Sequence, residues 1–302
     1  MKKILVTGVA GFIGSKIASK LINNKKYKVF GVDNLSQGKI ENIPNNVEFI
    51  KGDLSVSNFV NKLPKKIDQI LHLAGQSSGE KSFDNPILDL NKNIKSSLNL
   101  INYGIDNNAR RFVYASSMSV YGAHKKEKVK ENDKLQPLSC YGVSKLAVEN
   151  YLTVYKKKLP YVILRMFNVY GPGQDFKNLK QGMVSIYLSQ AIKNNNIIVK
   201  GPLNRTRDLI YIDDVVDIWI NILKNEKIFN KIYNVGTGKS TSVKKILQKI
   251  QFYYNNLKII EKNNTPGDQK NIIANINLLK RDLKFNKFIE FDDGLKKFIK
   301  NI

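Results

Sequence analysis

A tyrosine and a lysine four residues apart could cooperate in proton transfer. Tyr141 and Lys145 lie at the start of a predicted helix, where this spacing places them on one face. A phenol with a pKa of about 10 is a poor base at neutral pH, but a nearby ammonium stabilises the phenolate and lowers that pKa. Ser117, at the end of a predicted strand, could bond to the same substrate hydroxyl. The trio predicts proton transfer at an alcohol, although a Tyr-Lys pair alone more often marks a solvated helix face.

Three glycines near the N-terminus form a pattern typical of phosphate binding. Gly8, Gly11 and Gly14 lie between a short apolar strand and a helix predicted to begin at Ser15. Glycines let the backbone approach a pyrophosphate closely, and a helix N-terminus offers free N–H groups and a positive dipole end. Asp33 ends the next predicted strand. A carboxylate there bonds to ribose hydroxyls and repels a 2′-phosphate, which favours NAD over NADP.

Three acidic or basic features each allow two interpretations. Asp53 follows the third predicted strand and either meets an adenine or caps the next turn. Arg207 either pairs with the adjacent Asp208 or binds a diphosphate, and the fork of an arginine favours the diphosphate. The pair Asp213-Asp214 could bind a metal ion but more simply caps the helix that follows.

Strands and helices alternate through the first half of the chain, as in a parallel sheet covered by helices on both faces. The predicted strands are 4–6, 28–33, 47–50, 69–73, 111–115, 161–166, 197–200 and 231–235. The predicted helices are 15–22, 59–63, 86–107, 142–158, 181–194, 213–223, 243–254, 276–282 and 292–300. We expect an α/β fold with a doubly wound (Rossmann) parallel sheet and a smaller α/β substrate-binding lobe. Residues 1–167 and about 209–236 would form the NAD-binding domain, and about 168–208 and 237–302 the lobe.

The composition excludes several classes of protein. A hydrophobic fraction of 42% over 302 residues is typical of a globular chain rather than a disordered one. The net charge of +25 comes mostly from lysines spread along the chain, since only six of the 50 basic residues are arginine. Nucleic-acid surfaces concentrate arginine and lysine with interleaved aromatics, so we predict no nucleic-acid partner. One cysteine and two histidines exclude a disulfide framework and leave little material for a metal site, so none is predicted.

The N-terminal segment MKKILVTGVAGFIG mimics a signal peptide, with two lysines before an apolar run. Three glycines interrupt that run, and no stretch approaches the roughly 18 apolar residues of a membrane span. We therefore predict a cytoplasmic protein without a membrane partner.

Short motifs in a fixed order run along most of the chain. They are VTGVAGFIGS near residue 6, VDNLSQG (32–38), GDL (52–54), HLAGQ (72–76), SSMSVYG (116–122), YGVSK (141–145), RMFNVYGPGQ (165–174), RDLIYIDDV (207–215), YNVGTG (233–238) and GDQ near 268. In these motifs the chain resembles the extended short-chain dehydrogenases/reductases, specifically nucleotide-sugar epimerases of the UDP-glucose 4-epimerase type.

The resemblance implies roles for individual residues. The catalytic residues would be Ser117, Tyr141 and Lys145. The NAD contacts would be Gly8, Gly11, Phe12, Ile13, Gly14, Asp33, Asn34, Asp53, Leu54, Leu73, Ala74, Gln76, Asn93, Tyr141 and Lys145. The contacts to the nucleotide sugar would be Ser78, Ser117, Asn168, Arg207, Asp268 and Ile272.

The chain departs from the family pattern at three points. Related 4,6-dehydratases carry Thr-Asp-Glu where this chain has Ser117-Met118-Ser119, so the acids that drive water elimination are missing. Thr265 replaces an arginine of the family and weakens one phosphate contact. Ile272 aligns with the position that gates the C2 substituent of the sugar, and its size leaves glucose and N-acetylglucosamine both open.

The resemblance implies NAD-dependent C4 epimerisation of a UDP-hexose through a transient 4-keto sugar. The substrates would be UDP-glucose and UDP-galactose or their N-acetylated counterparts. An NAD(P)H-dependent reductase of a nucleotide-linked 4-keto-6-deoxy sugar would use the same trio and is the alternative. The predicted helices 86–107 and 142–158 keep apolar residues on more than one face, which together with the resemblance predicts a homodimer through a helix bundle.

Overall fold

The computed structural model describes residues 1–124, 126–262, 267, 269 and 271–302, and its strands alternate with helices as predicted. The strands are β1 (Lys2–Thr7), β2 (Tyr27–Asp33), β3 (Glu48–Lys51), β4 (Gln69–His72), β5 (Arg111–Ser117), β6 (Tyr161–Met166), β7 (Asn168–Tyr170), β8 (Asn196–Lys200), β9 (Thr206–Arg207), β10 (Leu209–Tyr211), β11 (Lys231–Val235), β12 (Thr241–Ser242), β13 (Lys258–Lys262) and β14 (Asn271–Ile272). The helices are α1 (Phe12–Ile22), α2 (Gly79–Asp84), α3 (Pro86–Leu90), α4 (Ser96–Asp106), α5 (Cys140–Tyr155), α6 (Met183–Asn194), α7 (Ile212–Lys224), α8 (Val243–Tyr253), α9 (Asn277–Leu283) and α10 (Phe291–Lys300).

In the described part of the chain, seven parallel strands form the main sheet in the order β11-β6-β5-β4-β1-β2-β3. Strand β1 pairs with β2 on one side and with β4 on the other, with Ile4 opposite both Val29 and Gln69. The strand order therefore reverses beside β1, and ligands of such sheets bind at the carboxyl ends of the strands next to this point. The predicted doubly wound sheet is confirmed.

Apolar side chains on the two faces of the sheet hold separate layers of helices. Strands β4 and β5 are buried along their whole length, as expected for central parallel strands. Helices α1 and α7 pack together on one face, where Trp219 of α7 is fully buried. Helices α4 and α5 cover the other face, with Leu100 and Val148 in its core. Helices thus cover both faces of the sheet.

The predicted helix 86–107 is confirmed as one continuous helical segment over residues 86–106, which contains a π-helical turn that was not predicted. It consists of α3, a π-helical stretch (Asn91–Lys95) and α4. Asn85 caps the short α3 by accepting a hydrogen bond from the Leu88 N–H at 2.8 Å, and Pro86 occupies the first helical position. Within the stretch, the Asn93 amide donates to the Asp89 carboxylate at 2.9 Å. Side-chain contacts of this kind do not alter the apolar periodicity, which is why the sequence did not reveal the π-helical turn.

Short strand pairs build the region that follows β6. Strand β7 pairs with β10, β8 pairs with the unpredicted β13, and β9 lies between β12 and β14. Asp208 links these pieces, because its buried carboxylate accepts hydrogen bonds from the backbone N–H groups of Thr237, Gly238 and Ala274. The predicted boundaries between the two domains stay a prediction.

Helix α7 begins earlier than expected. Its first residue is Ile212, so Asp213 and Asp214 lie in the first turn and the predicted capping role is wrong. Asp214 instead accepts a hydrogen bond from the Ile289 N–H at 2.9 Å and attaches the segment before α10 to the helix. Among the described residues, no helix is both long enough and apolar enough to cross a lipid bilayer.

Candidate active site

A cavity of about 690 Å³ lies along the carboxyl edge of the main sheet. The predicted NAD contacts that line it are Gly8, Gly11, Phe12, Ile13, Gly14, Asp33, Asn34, Asp53, Leu54, Leu73, Ala74, Gln76, Tyr141 and Lys145. Asn93 is buried behind this wall rather than lining it. Residues at the carboxyl ends of six neighbouring strands, β1 to β6, therefore meet where the topology places a ligand.

The glycine loop allows the first turn of α1 to pack directly on the end of β1. Gly8 has a φ of +70°, and a Cβ atom there would lie 2.8 Å from the Ala74 nitrogen. A Cβ atom on Gly14 would lie 2.1 Å from the Gly8 oxygen. Gly11 begins α1 without any side-chain cap, which leaves N–H groups of the first turn free for an anion. This geometry fits a diphosphate.

Carboxylates at the ends of β2 and β3 border the other end of the cavity. Asp33 accepts hydrogen bonds from the N–H groups of Ala10 at 3.1 Å and Leu35 at 2.8 Å, which fixes its side chain. Burial raises the pKa of Asp53, but hydrogen bonds from Lys92, Ser55 and other neighbours outweigh it and hold that pKa well below the usual range. Asp53 accepts a hydrogen bond from the Ser55 N–H, which fits the predicted capping of the turn, and it lines the cavity, where its contact to an adenine stays a prediction. The glycine loop and the carboxylates together fit an NAD molecule.

The three predicted catalytic residues come together at the inner wall of the cavity. Tyr141 and Lys145 belong to the first turns of α5, whose N-cap Ser139 accepts a hydrogen bond from the Gly142 N–H at 3.1 Å. The Ser117 hydroxyl at the end of β5 lies beside the Tyr141 phenol and lowers its pKa, and it donates a hydrogen bond to the Ser119 hydroxyl at 3.1 Å. The Lys145 amine donates to the Ala115 carbonyl at 3.0 Å and lies 5.6 Å from the centroid of the Tyr141 ring. The arrangement can exchange a proton with a hydroxyl group of a bound ligand.

Burial controls the protonation of this trio. It raises the pKa of Tyr141 to about 12, although Ser117 opposes the shift. It lowers the pKa of Lys145 to about 8, against the attraction of Asp89 and Glu149. In the protein chain by itself, desolvation of the phenol therefore dominates the pKa of Tyr141, and the lowering of that pKa by Lys145 stays a prediction for the site with its ligands bound.

Three predicted contacts to the nucleotide sugar lie away from the cavity lining. Ser78 caps α2 and donates to the Lys180 carbonyl at 2.7 Å. The Asn168 amide donates to the Asp208 carbonyl at 3.1 Å. Ile272 is only 1% exposed and belongs to the hydrophobic core, so its predicted position beside the sugar is not observed.

The remaining predicted contacts come from β9 and the segment before β14. Arg207 lies in β9, buried, and one of its terminal N–H groups donates to the Thr206 carbonyl at 2.8 Å. Asp268 and the departure at Thr265 lie outside the described residues. The roles of these residues toward a nucleotide sugar stay predictions.

Several cavity residues were not predicted from the sequence. The segment after β7 forms one wall, and lysines stand at the rim. These residues are Lys39, Lys81, Lys92, Gln174, Asp175, Phe176, Lys177, Asn178, Gln181 and Ser185. In a chain with 50 basic residues, the sequence alone does not distinguish a lysine near a ligand from a lysine on the solvent face. The glycine-rich GPG before this segment was the only available signal.

Comparison with known proteins finds similarity along most of the chain. The model of the NAD dependent epimerase/dehydratase family matches residues 4–236. The chain is 39% identical to a putative UDP-glucose 4-epimerase of Methanocaldococcus jannaschii over 256 residues, which cover 82% of this chain and 81% of the relative. It is also 30% identical to the human dTDP-D-glucose 4,6-dehydratase over 287 residues, covering 91% of this chain and 79% of that protein.

Solved structures show the same similarity. The UDP-glucose 4-epimerase of Thermotoga maritima, in a structure with UDP-glucose, superimposes with a TM-score of 0.94 at 31% identity. The superposition covers 99% of this chain and 98% of the other.

Proposed function

The chain belongs to the NAD-dependent epimerase/dehydratase family, and we propose that within it the protein epimerises C4 of a UDP-hexose through a transient 4-keto sugar. One observation carries the proposal: the Tyr141 phenol and the Lys145 amine line the cavity that fits NAD, and Ser117 lies beside the phenol and lowers its pKa. Such a trio acts on a secondary alcohol, and the similarity to UDP-glucose 4-epimerases supports a UDP-hexose as its source.

Each residue of the trio has a separate task. Tyr141 accepts the proton of the 4-hydroxyl, and Ser117 lies beside the phenol and lowers its pKa. NAD, when bound, supplies the acceptor for the hydride at C4. With a pKa of about 12, the Tyr141 phenol is protonated at neutral pH. It can act as a base only when a nearby positive charge stabilises the phenolate and lowers that pKa. Lys145 lies on the same helix face and is the cation of the chain that provides it.

The neighbourhood of Ser117 favours epimerisation over elimination of water. Elimination requires an acid for the leaving hydroxyl and a base for the carbon-bound proton. The turn after β5 carries Ser117, Met118 and Ser119, which have no acidic group. The similarity to dTDP-glucose dehydratases therefore supports the family and not the dehydratase reaction.

Product analysis by NMR tests the proposal. The purified protein, supplied with NAD, is incubated separately with UDP-glucose, UDP-N-acetylglucosamine and dTDP-glucose. We expect a C4 epimer from one of the UDP-sugars, with no net change in absorbance at the reduced-nicotinamide band. A 4-keto-6-deoxy product from dTDP-glucose would identify a dehydratase. Stoichiometric NAD(P)H consumption with a 4-keto sugar would identify the reductase, and either result rejects the epimerase.

We also propose that two copies of the chain associate through α3 and α5. Ile87 on α3 is 65% exposed, and Val143 and Val154 on α5 are 53% and 76% exposed. Val143, Ala147, Tyr151 and Val154 recur at helical spacing along one side of α5. Contiguous apolar surface of this kind is typical of a protein interface.

A further inference from the structure

A buried carboxylate behind the active site has no task in the chemistry proposed above. Asp89 in α3 is 1% exposed. Its Oδ2 accepts a hydrogen bond from the Ser144 hydroxyl at 2.6 Å, and its Oδ1 accepts from the amides of Gln76 at 2.7 Å and Asn93 at 2.9 Å. These donors are neutral, and none of the ion pairs within the described part of the chain includes Asp89. Its charge is solvated by dipoles and is not neutralised by a contacting cation.

The hydrogen bonds to Asp89 fix the orientation of two amides at the cavity wall. Because Gln76 and Asn93 both donate their NH₂ groups to the carboxylate, their carbonyl oxygens must point elsewhere. The Asn93 Oδ1 atom has no hydrogen-bond partner in the described structure. A Cβ atom built on Gly75 would lie 2.3 Å from that oxygen and 3.7 Å from the Lys145 amine. The oriented amide and the amine thus face the same glycine.

Lys145 is the cation that the charge of Asp89 acts on. Ser144, which bonds to Asp89, directly precedes Lys145 in α5. Burial lowers the pKa of the Lys145 amine. Two negative charges raise that pKa again, and Asp89 contributes more than Glu149. Glu149 already forms a buried ion pair with Arg165 at 2.7 Å. Asp89 is therefore the unpaired negative charge available to the amine.

The other titratable groups around the amine are neutral. The amine lies 4.9 Å from the centroid of the Tyr114 ring on β5, and burial raises the pKa of Tyr114 well above its usual value. The Tyr141 phenol on the same helix has a pKa of about 12. Burial and the charge of Lys145 lower the pKa of His72, on β4, to about 3. None of these groups carries a charge at neutral pH that could replace Asp89.

We infer that Asp89 is a positioning residue of the active site: its carboxylate keeps the Lys145 amine charged and holds the amides of Gln76 and Asn93 in one orientation. The inference rests on the proposed function only in treating Lys145 as catalytic.

Titration of Lys145 by NMR tests this inference without any turnover. In protein with ¹³C-labelled lysine side chains, the Cε resonance of Lys145 is assigned by its loss in Lys145→Met. We expect it to titrate near pH 8 in the wild type, well below ordinary lysines at about 10.4. Asp89→Asn and Asp89→Ser both remove the negative charge, so each should lower the pKa of Lys145 further, by about one unit.

Two charge-preserving variants are the controls. Ser144→Ala removes a hydrogen bond from the same carboxylate but leaves its charge, and Asp89→Glu moves the charge without deleting it. Both should keep the pKa of Lys145 near the wild-type value. An unchanged titration in a folded Asp89→Asn or Asp89→Ser protein overturns the inference. So does a wild-type Lys145 that titrates together with the surface lysines.

Activity separates this inference from the proposed function. If the wild type epimerises a UDP-sugar, the alkaline limb of its kcat/KM profile should move to lower pH in Asp89→Asn and stay in place in Ser144→Ala. A shifted Lys145 titration in a protein without epimerase activity would reject the function alone. Full epimerase activity with an unshifted titration would reject the role of Asp89 alone.

Discussion

The phenol of Tyr141 is the residue on which the proposed chemistry depends most directly. Tyr141→Phe removes the proton acceptor and keeps the ring that lines the cavity. We expect a loss of activity of at least about 100-fold, with NAD still bound. The measurement is kcat on the active UDP-sugar together with NAD content after gel filtration. Tyr155→Phe, at the far end of the same helix, is the matched control and should retain activity. Full activity in Tyr141→Phe would reject its role as base.

Residue types and spacing predicted the cofactor side of the site far better than the sugar side. The glycines and Asp33 can be recognised in the sequence, because dinucleotide binding requires their backbone conformation and their charge. Asp89 gave no such signal, since a lone aspartate in an amphipathic helix normally belongs to the solvent face. Its burial depends on Gln76 and Ser144, which come from distant parts of the chain. Long-range pairing of this kind cannot be obtained from one sequence.

At the scale of elements, a buried ion pair fastens α5 to the sheet. The Arg165 guanidinium of β6 donates to the Glu149 carboxylate of α5, and a further N–H group donates to the Tyr121 hydroxyl at 3.0 Å. Glu149→Gln would leave the buried guanidinium without its counter-charge. We expect the free energy of unfolding to fall by about 3–5 kcal/mol, measured by urea denaturation.

An exposed pair provides the comparison for Glu149→Gln. Lys249 and Asp292 pair at 2.6 Å with both side chains largely in solvent. Asp292→Asn should cost less than about 1 kcal/mol, because solvent already screens that pair. Similar losses in the two variants would contradict the structural importance of the buried pair.

The contact between α7 and the segment before α10 makes stability depend on pH. Burial raises the pKa of Asp214 to about 6, from 3.8 for an ordinary aspartate. The folded state therefore binds this proton more tightly than the unfolded state, and the contribution of Asp214 to stability falls as the pH rises from about 4 to about 6. Asp214→Asn keeps an acceptor for the Ile289 N–H without the charge.

We expect Asp214→Asn to remove this part of the pH dependence and to stabilise the protein at pH 7 by about 1–3 kcal/mol. The measurement is the free energy of unfolding of wild type and variant at several pH values. Asp213→Asn removes an exposed neighbour that contributes less than burial to the raised pKa of Asp214, so most of the pH dependence should remain. A wild-type and an Asp214→Asn profile that run parallel would show that Asp214 does not titrate in this range.

Element boundaries illustrate what periodicity can and cannot predict. The main strands were predicted because central parallel strands are continuous apolar runs. Helix α1 begins at Phe12 rather than Ser15, because Gly14 lets its first turn pack on the glycine loop. Strand β13 was missed because Lys258–Lys262 alternates weakly and becomes a strand only through its pairing with β8.

At the scale of the whole molecule, the apolar sides of α3 and α5 predict the oligomeric state. Val154→Glu places a charge on the most exposed of these side chains. We expect the wild type to sediment as a dimer at micromolar concentration and the variant to shift toward monomer. Lys157→Gln, at an exposed position just beyond α5, changes the net charge by the same amount and is the control. A monomeric wild type would reject the proposed association.

Some of the lysines that give the chain its large positive charge line the cavity. Exposed ion pairs such as Lys20–Asp217 and Lys28–Glu48 use some lysines, and others simply face solvent. At the rim of the cavity, however, Lys39, Lys81, Lys92 and Lys177 lie where a dinucleotide would enter. Asp33, Asp53 and Asp175 also line the cavity, so the lysines leave it a small excess of positive charge, which raises the local concentration of anionic ligands.

The short helix α3 connects the outside of the molecule with its catalytic centre. Four of its five residues are exposed, and the fifth is Asp89, turned inward. Helix α3 is the first part of the helical segment that continues through Asn91–Lys95 into α4, and in the proposed dimer a partner that covers Ile87 and Leu90 would lie over this carboxylate. Any coupling between subunit association and ligand binding is reciprocal. If dimerisation increases the affinity for NAD by some factor, bound NAD must increase the association constant of the two subunits by the same factor.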